Sequence, residues 1–261
     1  MKKKMLIFAL LSVSLLAFAE SRDETFTVNG VSFRMVAVEG GTFMMGASDD
    51  DDEATSREKP AHQVTLSEYS IGETEVTHEL WLAVMGFNPS EFGSTLEIDL
   101  QRPVEMVRWE LCQEFITKLN ELTGRTFRLP TEAEWEFAAR GGNKSGNHKY
   151  AGSAELDGVA WYKSNTPTYG ELGCGTQTVK SKAPNELGLY DMCGNVMEFC
   201  NDFYSAYSAD PSTDPTGPEN GSGHVARGGM WSGTAQYCRL TWRMGILKTA
   251  KHDCYGFRLA L

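Results

Sequence analysis

The sequence predicts an α+β fold in a single domain, and three observations carry that expectation. Trp109, Cys112, Phe115, Ile116, Leu119 and Leu122 recur at spacings of three and four, the period of a helix with one buried face. Thr131-Glu132-Ala133-Glu134 has the form of a capping box, in which the Thr hydroxyl and the Glu carboxylate each satisfy an orphan backbone N–H. Residues 20–47 alternate apolar and polar side chains between glycines, the period of strands.

Taken in order, Phe26-Thr27-Val28, Val31-Ser32-Phe33, Met35-Val36-Ala37-Val38 and Gly40–Gly46 read as a β-hairpin or meander. The run Asp49–Glu53 reads as a solvated loop, because like charges repel and stay in water. It lacks the alternating ligands and fixed Gly of an EF-hand calcium loop. Pro60–Leu66 begins another strand. Thr77 caps a short helix over His78–Val84 that Gly86 closes. Pro103–Val107 leads into the longer helix, which Gly124 ends. The capping-box helix carries Trp135, Phe137 and Ala138 and stops at Gly141. From Gly142 onward short strands are broken by long loops, with no internal repeat and no linker. The expected domain therefore spans residues 20–261, with small antiparallel sheets, two or three helices and many loops.

The N-terminus joins a basic Met1-Lys2-Lys3-Lys4 to an apolar run from Met5 to Phe18 and an Ala17-Phe18-Ala19 cleavage pattern. This is the tripartite form of a signal peptide over residues 1–19, so a secreted or periplasmic location is expected. The apolar run is shorter than the roughly 20 residues that span a bilayer, which argues against stable membrane insertion. The net charge of −11 becomes −14 once the three leading lysines are removed (−11 − 3). A chain this acidic lacks the basic footprint of a nucleic-acid-binding protein. Its partners are expected to be an exported protein, a peptide or a glycan.

Six cysteines (112, 174, 193, 200, 238 and 254) follow the cleavage site. They are too sparse for a disulfide scaffold, allow up to three staples, and sequence does not choose among the pairings. Cys112 falls on the buried side of the long helix and reads as a small hydrophobe. The five histidines (62, 78, 148, 224 and 252) show no paired ligand spacing, so no zinc or non-haem iron site is expected.

Several blocks resemble one family: Gly40–Gly46, Glu73-Thr74-Glu75-Val76-Thr77, Pro103–Trp109, Phe127–Gly142, Gly188-Leu189-Tyr190-Asp191-Met192-Cys193-Gly194-Asn195-Val196-Met197-Glu198-Phe199, Arg227–Arg239 and Tyr255-Gly256-Phe257-Arg258-Leu259. Together, and in this order, they resemble the formylglycine-generating or sulfatase-modifying-factor family. The resemblance implies a fold related to C-type lectins. Enzymes of that family oxidise a sulfatase Cys to formylglycine with copper and O₂, using two Cys five residues apart. Here the second is Cys238, but the first position holds Gly233. Cu(I) is soft and takes two thiolates, which Cys238 alone does not supply. The family's Ser in the Gly-Gly block is replaced by Met230, while Tyr237 matches. The chain is thus expected to be a non-catalytic envelope binding or accessory module. The alternative is a formylglycine-generating oxidase with Cys238 and Tyr237 as catalytic residues, completed by Cys254 if its loop folds over Cys238.

The resemblance also implies calcium at Asn195 and Glu198, whose oxygens suit that ion. The competing reading is that Asn195 holds a tight turn and Glu198 pairs with an Arg. A Cys200–Cys238 disulfide is implied by exported relatives. In lectin-like relatives the segment corresponding to Met230–Tyr255 contacts ligand, so Trp231, Gln236, Tyr237 and Trp242 are the expected ligand-binding residues, with Trp161 and Tyr162 as further aromatics in loop-rich stretches; core or sheet packing is the competing reading for each aromatic.

Overall fold

The computed structural model describes residues 22–93 and 99–261. The expected signal peptide, residues 1–19, lies wholly outside the described residues. Strands β1 (Glu24–Val28) and β2 (Val31–Val38) form the expected hairpin, turning at Asn29 and Gly30, both at positive φ. β3 (Gly41–Met45) does not extend this meander. It pairs with β4 (His62–Leu66), while β2 pairs with β5 (Tyr69–Gly72). Asp49 and Asp50 are exposed, as the charge run requires.

Helix α1 (His78–Met85) begins where Thr77 accepts the Leu80 N–H and ends at Gly86 in the left-handed conformation. Helix α2 (Trp109–Thr123) buries Cys112, Phe115, Ile116 and Leu119 and is closed by a left-handed Gly124. Leu122, expected on the buried face, is instead exposed in the last turn. Helix α3 (Glu132–Ala139) has the complete Thr131–Glu134 capping box, and all eight of its residues are buried.

Short strands dominate thereafter: β6 (Ala160–Trp161), β7 (Cys193–Gly194), β8 (Met197–Phe203), β9 (Ser212–Thr213), β10 (His224–Arg227), β11 (Arg243–Ile246) and β12 (Tyr255–Gly256). The C-terminal sheet runs β11-β10-β8-β12, with β12 parallel to β8 and the other neighbours antiparallel. One core lies around α3, with Trp135, Phe137, Val64 and Leu189. Another packs α1 and α2 against β1 and β2, with Trp81, Phe115, Phe127 and Phe257. The molecule is α+β, with three α-helices among the described residues.

A helix buried on all sides must hide its polar groups too, and α3 carries three glutamates. Arg243 from β11 makes two 2.6 Å bonds to Glu132. Glu134 takes two from Arg128, also at 2.6 Å. Glu136 pairs with Arg140 and with the fully buried Arg227 of β10. Burial works against the Glu136 carboxylate, but Arg140 and Arg227 outweigh it and hold its pKa below the usual range. The Arg243 and Arg227 pairs bind helix to sheet, and removing one partner would strand a buried charge.

Candidate functional site

The C-terminal loops are positioned by β10, whose end at Arg227 leads into Gly228 and Gly229 at φ +93° and +80°. Only glycine fits the second position: a Cβ on Gly229 would lie 2.8 Å from the Tyr237 carbonyl oxygen and 2.9 Å from Cys238 Sγ. The chain thus folds back so that the short 3-10 helix Ala235–Cys238 lies against this turn, with the Tyr237 N–H donating to the Thr234 carbonyl at 2.9 Å.

Cys238 is fully buried. Burial pushes its thiol pKa well up, with a smaller rise from Cys193 and opposing hydrogen bonds from the Met230 and Gly194 backbone. At Gly233 a Cβ would lie 3.0 Å from Met230 Cγ and 3.1 Å from Tyr237 Cδ2, so a side chain there would crowd both residues, which would have to shift by a few tenths of an ångström. Cys254, the alternative second thiol, has its Sγ 3.0 Å from His252 Nδ1, and the thiol that acts on Cys238 is Cys193.

All six cysteines are free in the structure, Cys200 and Cys238 of the implied disulfide among them. The thiol that acts on Cys238 is Cys193, whose own pKa is raised to about 12 by burial and whose sulfur accepts the Ala151 N–H at 3.3 Å. Cys200, on β8, instead feels Asp202, Glu132 and Arg227.

Two of the expected ligand-binding residues are packing residues. Trp231 is 3 % exposed, donates its indole N–H to the Asp253 carbonyl at 3.2 Å, and meets Phe92 and Tyr169 edge-on. Trp242 is 8 % exposed, with its carbonyl accepting from Arg227 at 2.7 Å. Gln236 and Tyr237 do face solvent, and Tyr237 rests on Trp242 with ring centroids 4.9 Å apart. Trp161 and Tyr162 are half-buried, tied to Ser181 and Asp157 respectively at 2.7 Å. Buried aromatics thus support an exposed edge of the short helix, a rigid base of the kind that suits recognition.

The calcium pair is also taken up by protein. Glu198 accepts from Arg258 at 2.6 Å on each oxygen and from the Trp135 indole N–H at 2.7 Å. Asn195 is at φ 53°; its Oδ1 accepts the Gln177 N–H at 2.9 Å and its amide donates to Glu75 at 3.2 Å. These are the contacts of the turn-and-ion-pair reading, with Asn195 Oδ1 and both Glu198 oxygens accepting from protein donors. Sequence reasoning missed the acids beside them. Glu75 is pushed well up by burial, then by Asp191 and Glu198, while burial raises Asp191 to about 6. All three surround the Arg258 guanidinium. No spacing rule would have found this group, because its members come from three separate segments.

A cleft of about 780 Å³, lined by Ala37, Tyr69, Asn143, Lys144, Leu187 and Leu261, contains none of the expected site residues.

Residues 24–261 match the model of the sulfatase-modifying factor enzyme 1-like domain. The chain belongs to the sulfatase-modifying-factor family. The family match covers the whole described fold, including the α3 block and the turn that seats Cys238. Among relatives, the chain is 34% identical to the chaperone protein LppX of Paenibacillus barcinonensis, over 92% of each protein. It is 31% identical to the formylglycine-generating enzyme of Thermomonospora curvata, over 78% of this chain and 84% of the enzyme. Among solved structures, Treponema denticola variable protein 1 superposes with a TM-score of 0.81 at 37% identity, over 92% of this chain and 98% of that one. The sulfatase-modifying-factor fold is thus held in common with proteins described by quite different roles, so the site must argue the function.

Proposed function

We propose that this family member is an exported, non-catalytic binding or accessory module of the cell envelope. Its exposed edge at Gln236 and Tyr237, braced by Trp242, holds a segment of another exported protein; a free peptide or a glycan are the other ligands that this surface suits. The observation that carries the reading is the packing at Gly233, where Met230 and Tyr237 would crowd a side chain, together with a buried Cys238. Copper chemistry needs two accessible thiolates at that point. The full-length similarity to a protein described as a chaperone supports a polypeptide as the ligand. The oxidase reading retains Tyr237 and Cys238 but lacks the second thiol.

Two measurements test this. Copper(I) titrated into reduced protein against a competing chelator should show no binding that depends on Cys238; tight binding lost in Cys238→Ser would overturn the reading. The protein should also keep an unfolded exported polypeptide in solution, measured by light scattering, with the effect reduced in Tyr237→Ala. Equal scattering with and without the protein would reject the polypeptide ligand. Export itself is checked by intact mass: the mature chain should begin at Glu20.

A further inference from the structure

Between β11 and β12 the chain carries His252, Asp253 and Cys254, and their positions are tightly determined. The His252 carbonyl accepts from Met106 N at 3.0 Å and Tyr255 N at 3.1 Å, the Asp253 carbonyl from the Trp231 indole at 3.2 Å, and the Cys254 carbonyl from Met197 N at 2.7 Å. With all three carbonyls pinned, the side chains turn to one place. Nδ1 of His252, a carboxylate oxygen of Asp253 and Sγ of Cys254 all lie within 4.8 Å of one another.

We propose that His252, Asp253 and Cys254 form a binding site for a divalent transition metal of the zinc class. Imidazole, carboxylate and thiolate are the three ligand types that such an ion takes, whereas Ca²⁺ and Mg²⁺ prefer oxygen alone. The site lies apart from Cys238, whose thiol neighbour is Cys193.

An independent observation points to a missing cation. Asp253 is 6 % exposed, and its Oδ1 has no hydrogen-bond donor. His252 Nδ1 approaches that oxygen at 2.5 Å and Cys254 Sγ at 3.0 Å, but the geometry to Oδ1 is not that of a hydrogen bond. One ring nitrogen carries at most one proton and does not serve both neighbours. A buried carboxylate oxygen without a donor is costly, and a metal ion removes the cost. The surroundings agree: Glu91 and Glu105 lie near enough for electrostatic contact with Asp253, so the site is rich in acidic groups.

Little movement is needed. A tetrahedral ion with bonds of about 2.0–2.3 Å holds ligand atoms roughly 3.3–3.6 Å apart. Opening the His252–Asp253 and His252–Cys254 contacts from 2.5 and 3.0 Å to that spacing moves the His252 ring by less than about 1 Å, and that side chain is 56 % exposed, with room to swing outward. Binding releases the Cys254 thiol proton to solvent, and a water completes the fourth position.

The probe is cobalt(II), added to the purified, reduced full-length mature protein under nitrogen. A one-to-one complex should show thiolate-to-cobalt charge transfer in the near-ultraviolet and the visible bands of a tetrahedral ion, both displaced by zinc. Cys254→Ser should abolish the charge-transfer band. His252→Ala guards against a folding artefact, since its side chain is exposed, and should weaken or abolish both features. Cys238→Ser should leave them intact. No thiolate band with the unaltered protein, a band that survives Cys254→Ser, or one lost only in Cys238→Ser would each overturn the proposal.

Discussion

Glu198 of β8 and Arg258, near the C-terminus, face each other with no solvent exposure on either side chain, joined by two bonds of 2.6 Å. Arg258 also donates to the carbonyls of Gly72 and Tyr190 at 3.0 Å, so one guanidinium ties the C-terminal segment to β5 and to the loop before β7. Removing one member leaves the other charged and buried. Arg258→Met should therefore cost about 3–5 kcal/mol, read as a clear drop in the urea midpoint at unchanged slope. Millimolar calcium should leave the melting temperature of the unaltered protein where chelator leaves it, since Glu198 is already filled. A rise with free Ca²⁺ that vanishes in Glu198→Gln would reinstate the cation site.

Asp202 gives the fold a pH dependence. Its Oδ2 accepts the Glu132 N–H at 2.9 Å at the start of α3. Burial, and then the Glu132 charge, raise it from 3.8 to about 7. The folded state thus holds a proton that the unfolded chain has released. The associated stability is fully present below about pH 4 and is lost progressively as pH rises to about 7, a change of roughly 4 kcal/mol. Asp202→Asn keeps an oxygen for the Glu132 N–H and removes the titration. Its urea stability should be flatter than that of the unaltered protein between pH 5 and 7; parallel curves would refute this assignment.

The aromatic residues of the C-terminal loops should separate into two groups. Trp231→Ala and Trp242→Ala empty buried volume and should each cost about 3–5 kcal/mol. Gln236→Ala and Tyr237→Ala, at exposed positions, should change stability far less while altering ligand binding. Thermal unfolding of the four variants is sufficient. Equal losses in all four would show that the exposed edge is merely structural.

Formylglycine formation should be absent. With copper, thiol, air and a Cys-x-Pro-x-Arg peptide, no mass loss is expected. Gly233→Cys alone places its Cβ 3.0 Å from Met230 Cγ. Combining it with Met230→Ser clears that contact and adds a hydroxyl, yet Cys238 stays buried, so only a trace of turnover is expected. Turnover by the unaltered protein at about 1 s⁻¹ or faster would promote the oxidase instead.

Local signals made much of the architecture readable. The Thr77 cap, the Thr131–Glu134 capping box and the glycines at 86 and 124 act within one turn of chain, and each is found where its residues stand. The Gly233 and Met230 substitutions were equally visible as departures from a family pattern. The pairing of β3 was not, because alternation says that a strand exists but not which edge receives it.

What the sequence by itself determined was the α+β class, the helix boundaries, the family and the incompleteness of the copper pair. The tertiary structure alone decided which groups are spoken for. Glu198 could serve calcium or an arginine until Arg258, sixty residues away, was brought against it. Cys238 could be bridged to Cys200 or completed by Cys254 on the residue pattern, and in the fold it is buried with Cys193 as the thiol that acts on it. Trp231 and Trp242 could face ligand or core on the same residue pattern, and packing places both in the core. The physical reason is common to all of them. A side chain's chemistry is set by its type, but its availability depends on burial and on partners contributed by distant segments, and neither is encoded in local spacing.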